Sequence, residues 1–503
     1  MLTLLGIDAG TTSLKAALFD REGRLVAIDR QEYSLVTPSP AMVELDPEIY
    51  WQACCIAVRN VIKKSCTEAQ KVAALCIASQ GETLIPVDKE GRPTRNAIVW
   101  LDNRAVEEAK LIARQFDVEE VYHTTGQPDV APIWPACKIL WIRQKEASIF
   151  AQSAKFLLLE EYLLYRLTGQ FVAEYSLQTS SLLLDIQKKR WWGAMLEFVG
   201  LSPDRLGRLM EPGEIIGPLS EEGAEATGLS TKTVAVSGGL DQTVGAVGSG
   251  NIVPDVVTET TGGALAILIT LQSPIFDPQR RLPCHYHAYR DRYCLLPWGK
   301  TGGMALRWFR DRFFPLEALV ARESGLDAYD LMTRLAEQVP SGSEGLIVLP
   351  HLEGTGSPDF NPVARAVFYG ATLRHTRGHF VRAIMESVAY MLKENLELVE
   401  ELGLAVKEVY SMGGGARSDL WLKIKADVLQ KSVKAIDVEE TACLGAALMA
   451  AVATGLFASL EEGVLHMVHV RKTFEPGREQ YDVYQRGYSQ YLELYDRLMP
   501  MFC

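Results

Sequence analysis

Apolar residues near the start of the chain fall in three short runs, 2–8, 14–20 and 24–30, separated by Ala9-Gly10-Thr11-Thr12 and Arg21-Glu22-Gly23-Arg24. Short apolar or alternating runs with turn-forming residues between them predict an antiparallel meander. Asp46-Pro47-Glu48 then predicts a helix running to Lys63 or Lys64, with a capping acid and proline at the first helical position. Residues 72–78 and 97–101 read as buried strands. They end in the polar loops Ser79-Gln80-Gly81-Glu82-Thr83 and Asp102-Asn103-Arg104, and ligand sites in sheets with crossover helices lie at such strand ends. Helices are predicted at 104–115, 136–146 and 159–167, followed by a loop-rich stretch to 232. Strands at 233–237 and 257–260 flank the glycine-rich segment 237–250. Beyond it, 265–271, 293–297 and 345–349 read as strands, and 302–312, 378–402, 418–429 and 441–455 as helices. The fold class is therefore α/β.

A chain of 503 residues, 48% hydrophobic, exceeds what one core usually supports. The glycine- and proline-punctuated stretch 248–256 is the expected boundary, giving domains 1–248 and 249–503. Each opens with strands and a threonine-rich glycine turn, as the halves of a duplicated chain would. No apolar run approaches a membrane span, and the N-terminus lacks the basic start and cleavage site of a signal peptide. The nine cysteines include no C-x-x-C pair, which favours free thiols in a reducing cytoplasm. The formal charge of −12 speaks against a nucleic-acid partner. It does not exclude ATP, whose charge magnesium neutralises. The oligomeric state stays open, a homodimer included.

The candidate chemistry sits at strand ends. Asp241 ends the apolar run 233–237 and its neighbours, within Ser237-Gly-Gly-Leu-Asp-Gln-Thr-Val-Gly-Ala-Val-Gly-Ser-Gly250, and small residues around it suggest room for a ligand. Asp8 ends the first run and is followed by Gly10, Thr11, Thr12 and Ser13, a hairpin turn whose amides and hydroxyls can grip phosphate oxygens. A carboxylate beside an alcohol can take its proton and orient the oxygen for in-line attack, the role expected of Asp241. Asp8 is the expected magnesium ligand, directly or through water. The competing reading for both is a strand-end cap accepting backbone N–H groups. Thr261, Gly262 and Gly263 form a second glycine turn, and Gly413, Gly414 and Gly415 a third, where a flat ligand can lie against the backbone. Gln80, Glu82, Asp102 and Arg104 can hydrogen-bond sugar hydroxyls, and Trp100 and Trp134 can offer an apolar face, although packing is the commoner role of tryptophan. His285 and His287, the basic run Lys188-Lys189-Arg190 and the acidic stretch 394–401 are read as structural or as solvated surface.

In combination these motifs resemble the FGGY carbohydrate kinases, from residue 1 to about 460. Leu5-Gly-Ile-Asp-Ala-Gly-Thr-Thr-Ser13 is similar to that family's first phosphate turn. Pro135-Ala-Cys-Lys138-Ile-Leu-Trp141 matches most of the N-terminal signature, and Gly370-Ala-Thr372 through Glu386 the C-terminal one. Gly413 to Trp421 and Glu440 to Ala447 resemble the adenosine-side segments. The resemblance implies two actin-like, ribonuclease H-like domains, with MgATP and sugar in a cleft where Asp8 and Asp241 converge. It also implies Asp241 as catalytic base with Gln242 beside it on the substrate side, and Gly10 to Ser13, Thr261 to Gly263, Gly303, Gly414 and Gly415 near the nucleotide. Met42-Val-Glu44, the Cys284-His segment and the Gly-Gly-Gly-Ala-Arg-Ser wording resemble xylulokinases, whereas Gln80-Gly81-Glu82-Thr83 looks like the Gln-Arg-Glu-Thr loop of glycerol kinases with its arginine replaced by Gly81. That replacement is expected to leave room for a longer sugar. A ketopentose such as xylulose is therefore the expected substrate, with glycerol or another short polyol as the alternative. A non-catalytic sugar or nucleotide sensor and a filament protein are the alternatives of other classes.

Overall fold

The computed structural model describes residues 3–502; Leu2, the first position of the expected run 2–8, lies outside them. Strands Thr3–Ala9, Ser13–Phe19 and Leu25–Glu32 form the expected antiparallel meander. Every residue of the first strand is buried except Asp8. Strands Val72–Ser79 and Val234–Leu240 extend the sheet in parallel from the other edge of Thr3–Ala9, and Ile215–Pro218 closes it antiparallel. The helix Pro47–Ser65 covers the meander. Asp46 caps it, accepting Glu48 N–H at 2.9 Å, and Cys66 ends it in the left-handed region. Its inner face buries Tyr50, Trp51, Cys54, Ala57, Val58 and Val61, each large apolar side chain stabilising by roughly 1.5–3 kcal/mol. Asp46→Ala would remove the cap at a cost of about 1 kcal/mol.

Contacts divide the chain into two units. The first takes in 1–252, 270–295 and 440–469; the second takes in 253–269, 296–439 and 470–503. The first crossing, after Ile252, falls within the stretch 248–256, but the chain then returns to the first unit twice. The second return carries helix Thr441–Ala453, which lies on strand Thr3–Ala9 and on helix Asp241–Gly248. Backbones there approach too closely for side chains: a Cβ on Gly6 would lie 1.9 Å from the Cys443 carbonyl oxygen, and one on Gly445 would lie 1.9 Å from that of Val244.

The sheet of the second unit repeats the plan of the first. Val256–Thr261 has an antiparallel hairpin partner in Leu265–Leu271, then two successive parallel neighbours, Glu408–Met412 and Ser432–Ile436, and an antiparallel edge, Val470–Phe474. Five strands of each sheet thus share one order and one set of directions, in keeping with a duplication.

Three expectations need correction. The run 97–101 is a strand only over Ala97–Ile98, because the Asp102 carboxylate captures the N–H groups of Val43 and Arg104 and turns the chain. The stretch before 232 holds helices Gly193–Val199 and Glu221–Thr227. The small residues after Asp241 do not leave room for a ligand: Asp241 is the first residue of helix Asp241–Gly248, whose glycines let Thr441–Ala453 pack against it. Among the described residues, no helix is long and apolar enough to cross a membrane.

Candidate active site

Asp8 and Asp241 stand at the same end of one sheet. Asp8 and Gly239 are both in register with Ala78 on the strand between them, so their backbones are about 10 Å apart, two strand spacings. Both acids belong to the first unit, as their places in the expected domain 1–248 imply. The Asp8 charge acts on Asp241. Burial first, then Asp8 and Glu82, push the Asp241 carboxyl up to about 8, against the pull of the Gln242 N–H and Lys15. Burial likewise pushes Asp8 up to about 6, opposed by Lys15 and reinforced by Glu440. Among the described residues, Asp241 accepts one hydrogen bond, from Gln242 N–H at 2.7 Å. A carboxylate with so few donors is poorly accounted for as a structural cap.

Beside Asp8 the hairpin turn is held rigid. Gly10 N–H reaches Ser13 O at 3.0 Å, the Tyr33 hydroxyl donates to Gly10 O at 2.5 Å, and Tyr33 N–H donates to Thr12 O at 3.0 Å. The Thr11 hydroxyl accepts from the Trp100 indole N–H at 2.8 Å, which ties Trp100 to the turn. Lys15 escaped the reading of the sequence. It is the cross-strand partner of Asp8, with its ammonium 3.7 Å from that carboxylate and 2.5 Å from Glu440. Its signal was there in the equal spacing of residues 8 and 15 about the turn.

The expected sugar-side residues gather around the next strand ends. Gln80 is buried, and its Oε1 has no partner. Glu82 takes a positive φ of 54°, and burial raises its carboxyl against the pull of Ser180 and Lys138. Lys138 is fully buried and donates to the carbonyls of Glu82 at 2.9 Å and Val99 at 3.0 Å, pinning the loop at Glu82 to the one that carries Trp100. Burial pushes its ammonium down to about 7. Asp102 is sealed from solvent, and both its oxygens are taken by Arg104 and Val43 N–H. The space expected at Gly81 is not where a side chain would go: a Cβ there would lie 3.1 Å from both Leu240 Cδ1 and Ser180 Oγ. Elsewhere, His285 and His287 are buried, and burial pushes their rings down to about 4 and about 3, so both are uncharged near neutrality.

In the second unit the remaining glycine turns meet one another. Gly303 N–H donates to Gly262 O and Gly302 N–H to Gly263 O, both at 2.8 Å. A Cβ on Gly415 would lie 2.6 Å from Thr261 Cβ, whereas one on Gly414 would meet nothing within 4 Å. The Thr261 hydroxyl donates to Glu259, which the fully buried Lys425 neutralises at 2.6 Å. A cavity of about 260 Å³ opens at the ends of Glu408–Met412 and Ser432–Ile436, lined by Gly413, Ala416, Arg417, Asp437, Glu439 and Arg471.

Two raised acids beside a braced, hydroxyl-rich anion turn are the equipment of a phosphotransferase. The model for the N-terminal domain of the FGGY family of carbohydrate kinases matches residues 3–248, and that for its C-terminal domain matches 283–454. The chain is 32% identical over 460 residues to a gluconokinase from Bacillus subtilis (strain 168), covering 91% of this chain and 89% of the relative. It is 30% identical over 500 residues to a xylulose kinase from Escherichia coli (strain K12), covering 99% of each. The crystal structure of a xylulose kinase from Rhodospirillum rubrum superposes with a TM-score of 0.89 at 27% identity over 99% of both chains. The chain belongs to the FGGY family of carbohydrate kinases. Its chemistry is the phosphorylation of a small sugar or polyol at the expense of ATP.

Proposed function

We propose that this kinase phosphorylates a hydroxyl of a neutral sugar, a ketopentose such as xylulose, with Asp241 as the base. The observation that carries the reading is the Asp8–Asp241 pair, two carboxylates at one sheet end whose charges lack sufficient partners. In the transfer, the sugar O–H bond breaks and its proton passes to Asp241. The freed oxygen bonds to the γ-phosphorus as the bond from that phosphorus to the β-phosphate oxygen breaks, releasing ADP. A base pushed up to about 8 is poised close to working pH, where a general base is most effective.

Asp8 fits a magnesium ion: it is a raised carboxylate with one cation nearby, and magnesium binds through one or two carboxylates while keeping much of its water. When bound, that ion neutralises charge on the phosphates. The amides and hydroxyls of Gly10 to Ser13, with Lys15, would steady the phosphoryl group. On the sugar side stand Gln80, with its orphaned Oε1, Glu82, Trp100 and Gln242, with Asp102 holding the loop from behind. The glycines of Thr261–Gly263, Gly303, Gly414 and Gly415 would take the nucleotide. On this reading 1–248 is the sugar-binding domain and 249–503 the nucleotide-binding one. A kinase fed by ATP belongs in the cytoplasm.

Charge selects the class of sugar. The cations acting on Asp8, Glu82 and Asp241 are Lys15, bound to Glu440, and Lys138, bound to two backbone carbonyls. A carboxylate-bearing sugar acid would meet three raised acids, and the two cations beside them already hold other partners. ADP release over a panel of glycerol, tetritols, ketopentoses and gluconate tests this; gluconate as the best substrate would overturn the charge argument. Asp241→Asn should keep ATP binding and lose transfer by roughly 10²- to 10⁴-fold. Near-normal turnover in that variant would remove Asp241 from its role, and ATP binding without any sugar-dependent turnover in the unmodified protein would favour a sensor.

A further inference from the structure

The strand that delivers Asp241 is irregular just before it does so. Val236 pairs with Cys76 and Gly239 with Ala78, so Ser237 and Gly238 together oppose the single residue Ile77. This is a β-bulge, a device that re-aims the side chains following it and leaves ladder groups unpaired. The freed Gly238 N–H is accepted by Glu160 Oε1 at 2.8 Å. Leu240 N–H goes to Ser176 Oγ at 3.2 Å, and that hydroxyl donates to Glu174 Oε2 at 2.7 Å. Glu174 also accepts the N–H groups of Ser176 and Leu177, both at 2.8 Å. The intervening Gly239 has φ of 147°, and a Cβ there would strike Ser176 Oγ at 2.3 Å and Glu174 Oε2 at 2.7 Å. Glu160, Glu174 and Ser176 are all buried.

We infer that Glu160 and Glu174, the latter through Ser176, are positioning residues for Asp241, holding the bulge that sets where its carboxylate stands. The inference rests on the reading of Asp241 as the base. Among the described residues, the leading influences on both glutamates are burial, neighbouring acids and hydrogen-bond donors, with no cation among them. Burial, Glu174 and Glu161 all raise the Glu160 carboxyl well above its ordinary value, and among the described residues its Oε2 makes no hydrogen bond. Burial pushes Glu174 up to about 8 against its three donors, with Glu211 adding to the rise. The other titratable group against the bulge is Cys76, whose Sγ would lie 3.0 Å from a Cβ on Gly238. A side chain that accepts one backbone N–H can be replaced by an amide, but not by a hydrocarbon. Isolated buried acids rarely persist for stability alone, since an apolar residue would serve better.

The test compares Glu160→Gln, Glu160→Leu, Ser176→Ala and Asp241→Asn in the full chain, with MgATP and D-xylulose, or gluconate should that be turned over faster. Glu160→Gln keeps the acceptor and should retain nearly the unmodified kcat. Glu160→Leu and Ser176→Ala should lower kcat on the order of 10- to 100-fold, the scale of a misplacement near 1 Å, with KM for ATP unchanged and the acid limb of the kcat profile displaced. Turnover surviving in Asp241→Asn would sink the underlying reading. If that variant is dead while folded Glu160→Leu and Ser176→Ala keep both kcat and the acid limb, this inference alone fails. Should Glu160→Leu not fold, Ser176→Ala decides.

Discussion

Replacing Asp241 with asparagine should stabilise the protein while disabling it, and the gain should grow with pH. The Asp241 carboxyl is pushed from its ordinary 3.8 up to about 8, mainly by burial and then by Asp8. In the unfolded chain it titrates near the ordinary value, so between the two the folded state holds a proton that the unfolded state has released. Stability from this group is complete below the ordinary value, drains away as pH rises, and is fully lost above about 8. A rise of about four units sets a ceiling of about 5–6 kcal/mol. The side chain is not sealed from water, and an effective interior dielectric near 20 describes such sites better than a dry one, so about 1–3 kcal/mol is the realistic loss.

Asparagine keeps the shape and the Oδ1 acceptor that Gln242 N–H reaches at 2.7 Å, and it is uncharged at every pH. The assay is a pair of thermal melts without nucleotide, sugar or divalent metal, at pH 4.5 and pH 8.5. The two proteins should melt together at the lower pH, and the variant should melt a few degrees higher at the upper one. A gap that stays constant with pH, or an asparagine variant that is the less stable at pH 8.5, would refute the claim that Asp241 is an acid held out of its preferred state for the sake of chemistry.

Other substitutions probe the supports of the site. Lys138→Met leaves the carbonyls of Glu82 and Val99 without their buried donor, at about 1–3 kcal/mol for each group, and steady-state kinetics should show the sugar KM raised with the ATP KM unmoved. Lys425→Met leaves Glu259 buried and unpaired, which should destabilise by about 3–5 kcal/mol in denaturant titrations, and adding Glu259→Gln should recover much of it. Gly445→Ala places a Cβ against the Val244 carbonyl, so melts should report about 1–3 kcal/mol lost, and kcat should fall because Val244 belongs to the helix that Asp241 begins.

The chemistry of this protein was legible wherever it was local. Asp8 and Asp241 each follow an apolar run, the hydroxyl-rich turn lies between two runs of matched length, and the capped helix Pro47–Ser65 announces itself in Asp46-Pro47-Glu48. The return of Thr441–Ala453 to the first sheet was not legible, since no period within that helix names its partner. The glycines were the most misleading letters. Small residues around Asp241 read as space for a ligand, yet Gly238 and Gly239 are small because Ile77, Ser176 and Glu174 fill the space, and Gly248 because Thr441 does.

Glycine in a sequence says that something comes close, without saying whether it is substrate or protein. At Gly414, where a Cβ would touch nothing, the first answer remains open to a ligand. At Gly238 and Gly239 the second holds, and it changes what the doublet is for: it lets buried side chains grip the backbone just before Asp241. In the role proposed for Asp241, a base whose charge is poorly satisfied by its surroundings must be held by its backbone, because satisfying the carboxylate itself would drain the basicity that the reaction needs. That is the physical reason for finding the hydrogen bonds on Gly238 and Leu240 and almost none on Asp241.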